Sequence, residues 1–80
     1  MKSTYSETYQ LLIDQLIRAR KNCGVTQTDL AIKLGKPQSY ISKIEIRERR
    51  LDVVEFLELA EAIGEDPIRM ISEIYHRWSG

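Results

Sequence analysis

The chain of 80 residues is short of the groups that carry most protein chemistry. Cys23 is its single cysteine and His76 its single histidine. One cysteine excludes an internal disulfide and a zinc–thiolate cluster. Cys23 precedes a glycine at a helix end, a setting for a packing or surface residue rather than a nucleophile. His76 has no Ser or Asp partner at a suggestive spacing and reads as a solvated helix residue. No glycine-rich phosphate loop and no metal-ligand motif occurs. The expectation is a protein that is not an enzyme, with no catalytic residues, no metal and no cofactor, and with no small-molecule ligand evident. No apolar run approaches the ~20 residues of a membrane span, and the polar opening MKSTYSET lacks the plan of a signal peptide. A cytoplasmic protein with no membrane partner is expected. Strand-like alternation, internal repeats and low-complexity segments are also missing.

What is present fits one small domain spanning 1–80. Apolar residues at 42% and charged residues at 30% belong to an ordinary globular chain. Below about 80 residues a single core supplies only a few kcal/mol, so each apolar face must be used or a second subunit must help. The net charge is zero, but its distribution is uneven. From Arg18 to Arg50 nine basic residues meet three acidic ones, a net +6, and from Leu51 onward seven acids meet two bases, a net −5. A polarised chain of this kind offers one basic region to a polyanion.

Apolar periodicity defines five helices and an all-α fold. Tyr9, Leu12, Ile13, Leu16 and Ile17 follow the 3.6-residue repeat of a helix over about 7–22, ended near Gly24. Thr26 is placed to cap a second helix, in which Leu30, Ala31 and Leu34 form the apolar face. Gly35 suits a left-handed helix end, and Pro37 brings a φ suited to starting a third helix. There Ile41 and Ile44 point inward, and Gln38, Ser39, Tyr40, Ser42 and Lys43 surround the outside. Residues 46–51 form an arginine-rich connection. Asp52 and Glu55 make a capping box for a fourth helix with apolar positions Val53, Phe56, Leu57, Leu59, Ala60 and Ile63, stopped by Gly64. Asp66-Pro67 opens a fifth, about 67–78. The stretch from Thr26 to Glu45 thus reads as two short helices around a tight turn, a helix-turn-helix. Its outer face carries amides, hydroxyls and a cation, the groups that read base edges and bind phosphates. Double-stranded DNA is the expected partner.

These residues resemble the helix-turn-helix regulators related to phage repressors and Cro, the XRE class. The likeness covers roughly Leu12 to Ile71. It rests on Arg18, Thr26-Gln27, Leu30-Ala31, Leu34-Gly35, Gln38-Ser39, Ile41-Ser42, Ile44-Glu45 and the stretch RRLDVVEFLELAEAIGEDP. The resemblance implies a five-helix repressor-like domain that binds operator DNA as a symmetric dimer, with the helix after the turn in the major groove. Two positions depart from the family pattern. Pro37 stands where members often carry Ser, Thr or Asp as a cap, and Arg47 stands where they usually carry Gly. Arg47 must therefore accept a left-handed backbone, or the helix must end differently.

On this resemblance Gln27 is expected to grip a phosphate at the start of the second helix. Gln38 opens the recognition helix with a donor and an acceptor that match adenine N6 and N7. Ser39 and Ser42 are the next candidates for base edges. Lys43 is open between guanine and a phosphate, and Tyr40 between the sugar-phosphate backbone and simply covering the turn. Arg47, Arg49 and Arg50 are expected on backbone phosphates beside the groove. Lys36 and Arg18 are weaker candidates, and Arg18 is alternatively a brace for Glu45. Ile68, Met70, Ile71, Ile74, Tyr75 and Trp78 make the fifth helix apolar on more than one face, so Ile71, Ile74, Tyr75 and Trp78 are expected in a homodimer contact. The expected function is sequence-specific regulation of transcription, as a repressor on a palindromic operator. A restriction-modification controller or an antitoxin on the same scaffold is the alternative within the class. A protein-interaction module that has lost DNA binding is the alternative outside it.

Overall fold

The computed structural model describes residues 6–79, with Trp78 and Ser79 described in backbone only. Five helices follow one another: α1 (Glu7–Asn22), α2 (Gln27–Leu34), α3 (Gln38–Glu45), α4 (Val53–Ile63) and α5 (Pro67–Ser79). No strand occurs among the described residues.

Each helix start has a chemical cause. The Ser6 hydroxyl accepts from the Tyr9 N–H at 3.1 Å and caps α1. Thr26 and Asp29 form a reciprocal capping box at α2, and Asp52 and Glu55 form another at α4. A side-chain cap of this type stabilises by about 0.5–2 kcal/mol. The Asp66 carboxylate accepts from the Ile68 N–H at 2.9 Å and opens α5. Only α3 starts without a side-chain cap, because Pro37 occupies the cap position itself and has no oxygen to offer. Its extended backbone, with φ −68° and ψ 153°, leads directly into Gln38 as the first helical residue.

The first four helix ends share one device. A residue with positive φ turns the chain, and the next N–H reaches back five residues to a free carbonyl. Val25 N–H bonds Arg20 O after Gly24, Lys36 N–H bonds Ala31 O after Gly35, Glu48 N–H bonds Lys43 O after Arg47, and Glu65 N–H bonds Ala60 O after Gly64. Arg47, with φ 62°, thus holds a conformation that the other three ends give to glycine.

The core is continuous. Tyr9, Ile13 and Leu16 from α1 meet Leu30 and Ala31 from α2, Ile41 and Ile44 from α3, Phe56, Leu59, Ala60 and Ile63 from α4, and Met70 from α5. Fully burying one such aliphatic side chain contributes roughly 1.5–3 kcal/mol, so Ile41 and Ile44 anchor α3 firmly despite its eight residues. The α4 stripe is narrower than the sequence suggests. Val53 and Leu57 are exposed, at 74% and 43%, rather than inward. Phe56, Leu59, Ala60 and Ile63 already fill the i, i+3, i+4, i+7 stripe, and the two outer residues instead line an apolar groove with Leu12, Pro67, Ile68 and Ile71. On α5, Met70 is buried while Ile68, Ile71 and Tyr75 are exposed. The Trp78 side chain lies outside the described residues.

Candidate nucleic-acid interface

The floor of the site is an ion pair. Arg20 lies on the inward face of α1, in line with Ile13 and Leu16, and is itself buried. Its Nε donates to Glu45 Oε2 at 2.7 Å, a second guanidinium nitrogen donates to Glu45 Oε1 at 3.0 Å, and a third donates to the Val25 carbonyl at 2.9 Å. A bidentate fork of this kind fixes both partners in one geometry. It ties α1 to the last residue of α3 and to the connection entering α2.

From that floor a chain of hydrogen bonds rises to the surface. Gln27 Nε2 donates to Glu45 Oε1 at 2.8 Å, and Gln27 Oε1 accepts from Gln38 Nε2 at 2.6 Å. The amide of Gln38, exposed at the first position of α3, is thereby oriented through Gln27 and Glu45 by the buried Arg20. A primary amide has two donors and a carbonyl with two lone pairs. After its bond to Gln27, Gln38 keeps one N–H and its whole carbonyl for a ligand. Ser39 is exposed beside it, Ser42 is half-buried, and Lys43 is exposed in the last turn of α3.

The arginines of the α3–α4 connection differ in their commitments. Arg50 lies over the Tyr9 ring, with Cζ 5.0 Å from the centroid, while the Tyr9 hydroxyl accepts the buried Leu51 N–H at 3.1 Å. Tyr9 so fixes the end of the connection from below. Arg49 is engaged on two sides. Its nitrogens donate to both Glu55 oxygens, at 3.0 and 2.7 Å, and its Cζ stands 4.8 Å from the Tyr40 ring centroid. Those bonds, followed by the Asp52 backbone N–H, hold the Glu55 carboxyl at about 2, well below the usual carboxylate range. Burial first, and then the Glu55 charge, push the Tyr40 hydroxyl up. Lys36 Nζ also approaches the Tyr40 ring, at 5.3 Å.

Residues 16–69 match the helix-turn-helix family. An XRE-family-like protein from Pseudomonas syringae pv. tomato has the same fold, with a TM-score of 0.86 and 47% identity over 88% of this chain and 85% of that one. The chain belongs to the XRE class of the helix-turn-helix family. A relative in Sinorhizobium fredii, described as an uncharacterized HTH-type transcriptional regulator, is 29% identical over 63 residues, 79% of this chain and 82% of that protein. The XRE class comprises DNA-binding transcriptional regulators and is not an enzyme class. Among the described residues no helix is long and apolar enough to cross a membrane.

Within this XRE-class regulator, Gln27, Gln38 and Ser39 lie together at the start of α3, and Lys43 is in its last turn. Arg47 follows the end of that helix, with Arg50 on the connection. Two side chains sit differently from their sequence expectation. Arg20, not Arg18, braces Glu45, because Arg18 is exposed on another face of α1. Spacing held the signal: Ile13, Leu16 and Arg20 fall at i, i+3 and i+7, which puts Arg20 on the buried stripe. Tyr40 is half-buried against α4 and the connection rather than standing free on the outer arc. Glu45 and Glu55 are the carboxylates that organise the site. Glu55 was legible only as a helix cap, since its pairing with Arg49 depends on how the connection folds back.

Proposed function

We propose that this protein is a sequence-specific transcriptional repressor that binds a palindromic operator as a homodimer. The chain of bonds from Arg20 through Glu45 and Gln27 to Gln38 carries the reading. It delivers an amide with one free N–H and a free carbonyl to the leading end of α3, the arrangement that suits an adenine edge in the major groove. Ser39, Ser42 and Lys43 lie next along the groove, and Arg47 and Arg50 flank it as phosphate ligands. Gln27 serves as a link that also meets a phosphate at the start of α2.

Size supports the dimer. An eight-residue helix is about 12 Å long and spans only a few base pairs. The molecule measures 36 Å along its longest axis and carries one recognition helix. Half-sites one helical turn apart are separated by about 34–36 Å, so two copies are required to fill both. The exposed apolar residues of α5, Ile71 and Tyr75, with the half-buried Ile74 and with Trp78, are the surface we assign to that contact, and the groove by Val53 and Leu57 extends it.

Selection of bound sites from random duplex DNA tests this directly. An enriched consensus with two-fold symmetry and half-sites about one turn apart is expected. Enrichment of a single unrepeated half-site would remove the dimer, and no enrichment would remove sequence-specific binding.

A further inference from the structure

Three elements meet around the Arg49–Glu55 ion pair. Glu55, at the third position of α4, receives the fork of Arg49 and the Asp52 N–H, and Tyr40 of α3 lies against the face of that same guanidinium. Arg49 stacks on that same tyrosine and gives a further N–H to the Arg50 carbonyl at 3.1 Å. The recognition helix, the connection that follows it and the start of α4 are therefore tied together around that ion pair. That lock borders the hydrophobic core, against which Tyr40 packs, and adds a polar tie to the grip of Ile41 and Ile44 on α3.

We infer that Arg49, Glu55 and Tyr40 form a positioning clamp that sets the pose of α3 on DNA, and that Arg49 is not itself a phosphate ligand. The inference rests on the DNA-reading function proposed above. Two opposing demands favour it. A phosphate ligand keeps its strongest bidentate edge free, whereas the end-on Nη1/Nη2 fork of Arg49 is spent on Glu55 and its face on Tyr40, which leaves only the side-on Nε–H edge. A clamp needs planar, bidentate geometry, which Arg supplies and Lys does not. Arg50, one residue on, has its guanidinium over the Tyr9 ring and makes no such fork. The two neighbouring arginines thus separate by role, one holding the helix and the other holding DNA.

Binding to the selected duplex and to a scrambled duplex, each across a salt series, tests the clamp. Arg49→Ala should cut discrimination between the two duplexes by roughly tenfold, about the cost of one lost base contact. It should leave the slope of log K against log salt unchanged, where loss of a phosphate ligand would make it shallower by about 0.9. Arg49→Lys should fail to rescue, since charge without the fork is not enough. Glu55→Gln keeps an acceptor for the α4 cap but frees Arg49. It should strengthen binding to scrambled DNA and steepen its slope while discrimination falls. Slope loss in Arg49→Ala with full rescue by Arg49→Lys would make Arg49 a phosphate ligand and overturn the clamp. A lowered melting temperature with discrimination intact in both Arg49→Ala and Glu55→Gln would overturn it as well, leaving a purely structural tie. Wild-type protein that prefers neither duplex would instead defeat the DNA-reading function on which the clamp depends.

Discussion

Among the described residues, Arg47 is the one non-glycine with a positive φ. Its φ of 62° belongs to the left-handed region, and the equivalent turns after α1, α2 and α4 are made by Gly24, Gly35 and Gly64. For a residue with a Cβ that region costs roughly 1–2 kcal/mol, and glycine returns part of the difference through its greater unfolded-state entropy. Arg47→Gly is therefore expected to raise the melting temperature by a few degrees. The same change removes a cation one residue beyond the Ile46 cap of the recognition helix. If Arg47 holds a phosphate, the variant should bind DNA more weakly with a salt slope shallower by about 0.9. Denaturation and a salt series on one variant measure both effects. Gain in stability without loss of slope would take Arg47 off the DNA. At the same scale, Arg20 and Glu45 expose only 9% and 12% of their side chains, so removing either partner strands a buried charge.

At the scale of elements, helix ends carry much of the local order, and two of them depend on ionised carboxylates. Glu55 is held at about 2, chiefly by Arg49. Asp29 is lowered by the Thr26 backbone N–H and hydroxyl. A carboxyl whose folded value lies below its unfolded one contributes stability that is fully present above the unfolded value, 4.5 for Glu55. That stability is lost as pH falls toward the folded value of about 2. The expected melting curve is unaffected by these groups from pH 5 to 8 and falls between about pH 4.5 and 2. Glu55→Gln should flatten part of that acid limb, and an unchanged limb would show that the Arg49 fork adds little to stability. These helix starts were legible in the sequence because a cap is local: Thr26-Asp29 and Asp52-Glu55 state their function in four residues. Gly35 and Gly64 were legible for the same reason. Arg47 was flagged only by comparison with the family pattern, which left a left-handed backbone and a different helix end both open; the φ of 62° decides for the first. The inner faces of α1 and α3 followed from their period. Val53 and Leu57 did not, because which apolar residues a short helix buries depends on how far its neighbours reach. The Arg20–Glu45 pair and the Arg49–Glu55 fork were hidden in a similar way, since both join segments that meet only after the chain has folded. In the candidate site, the residue types and their order along α3 were readable, whereas the bonds that orient Gln38 were not.

For the whole molecule, the charge asymmetry and the apolar surface divide the work. The basic segment from Arg18 to Arg50 contains the recognition helix and its flanking arginines, and the acidic segment from Leu51 onward supplies α4 and α5. Long-range attraction to a polyanion then favours approach with α3 leading, while acidic residues on the other elements discourage non-productive contacts. The exposed Ile68, Ile71 and Tyr75 lie on α5, outside that basic segment, and are the surface to which the proposed function assigns pairing. What joins these features in the proposed function is base reading by the first residue of α3, and one measurement addresses it: Gln38→Ala against a panel of single-base variants of the selected site. The expected result is relaxed preference at one base pair in each half-site, worth about 1–3 kcal/mol. Affinity for scrambled DNA should be nearly unchanged, and so should the melting temperature, because Gln38 is exposed. A uniform loss across every variant would contradict base reading and place Gln38 on the DNA backbone.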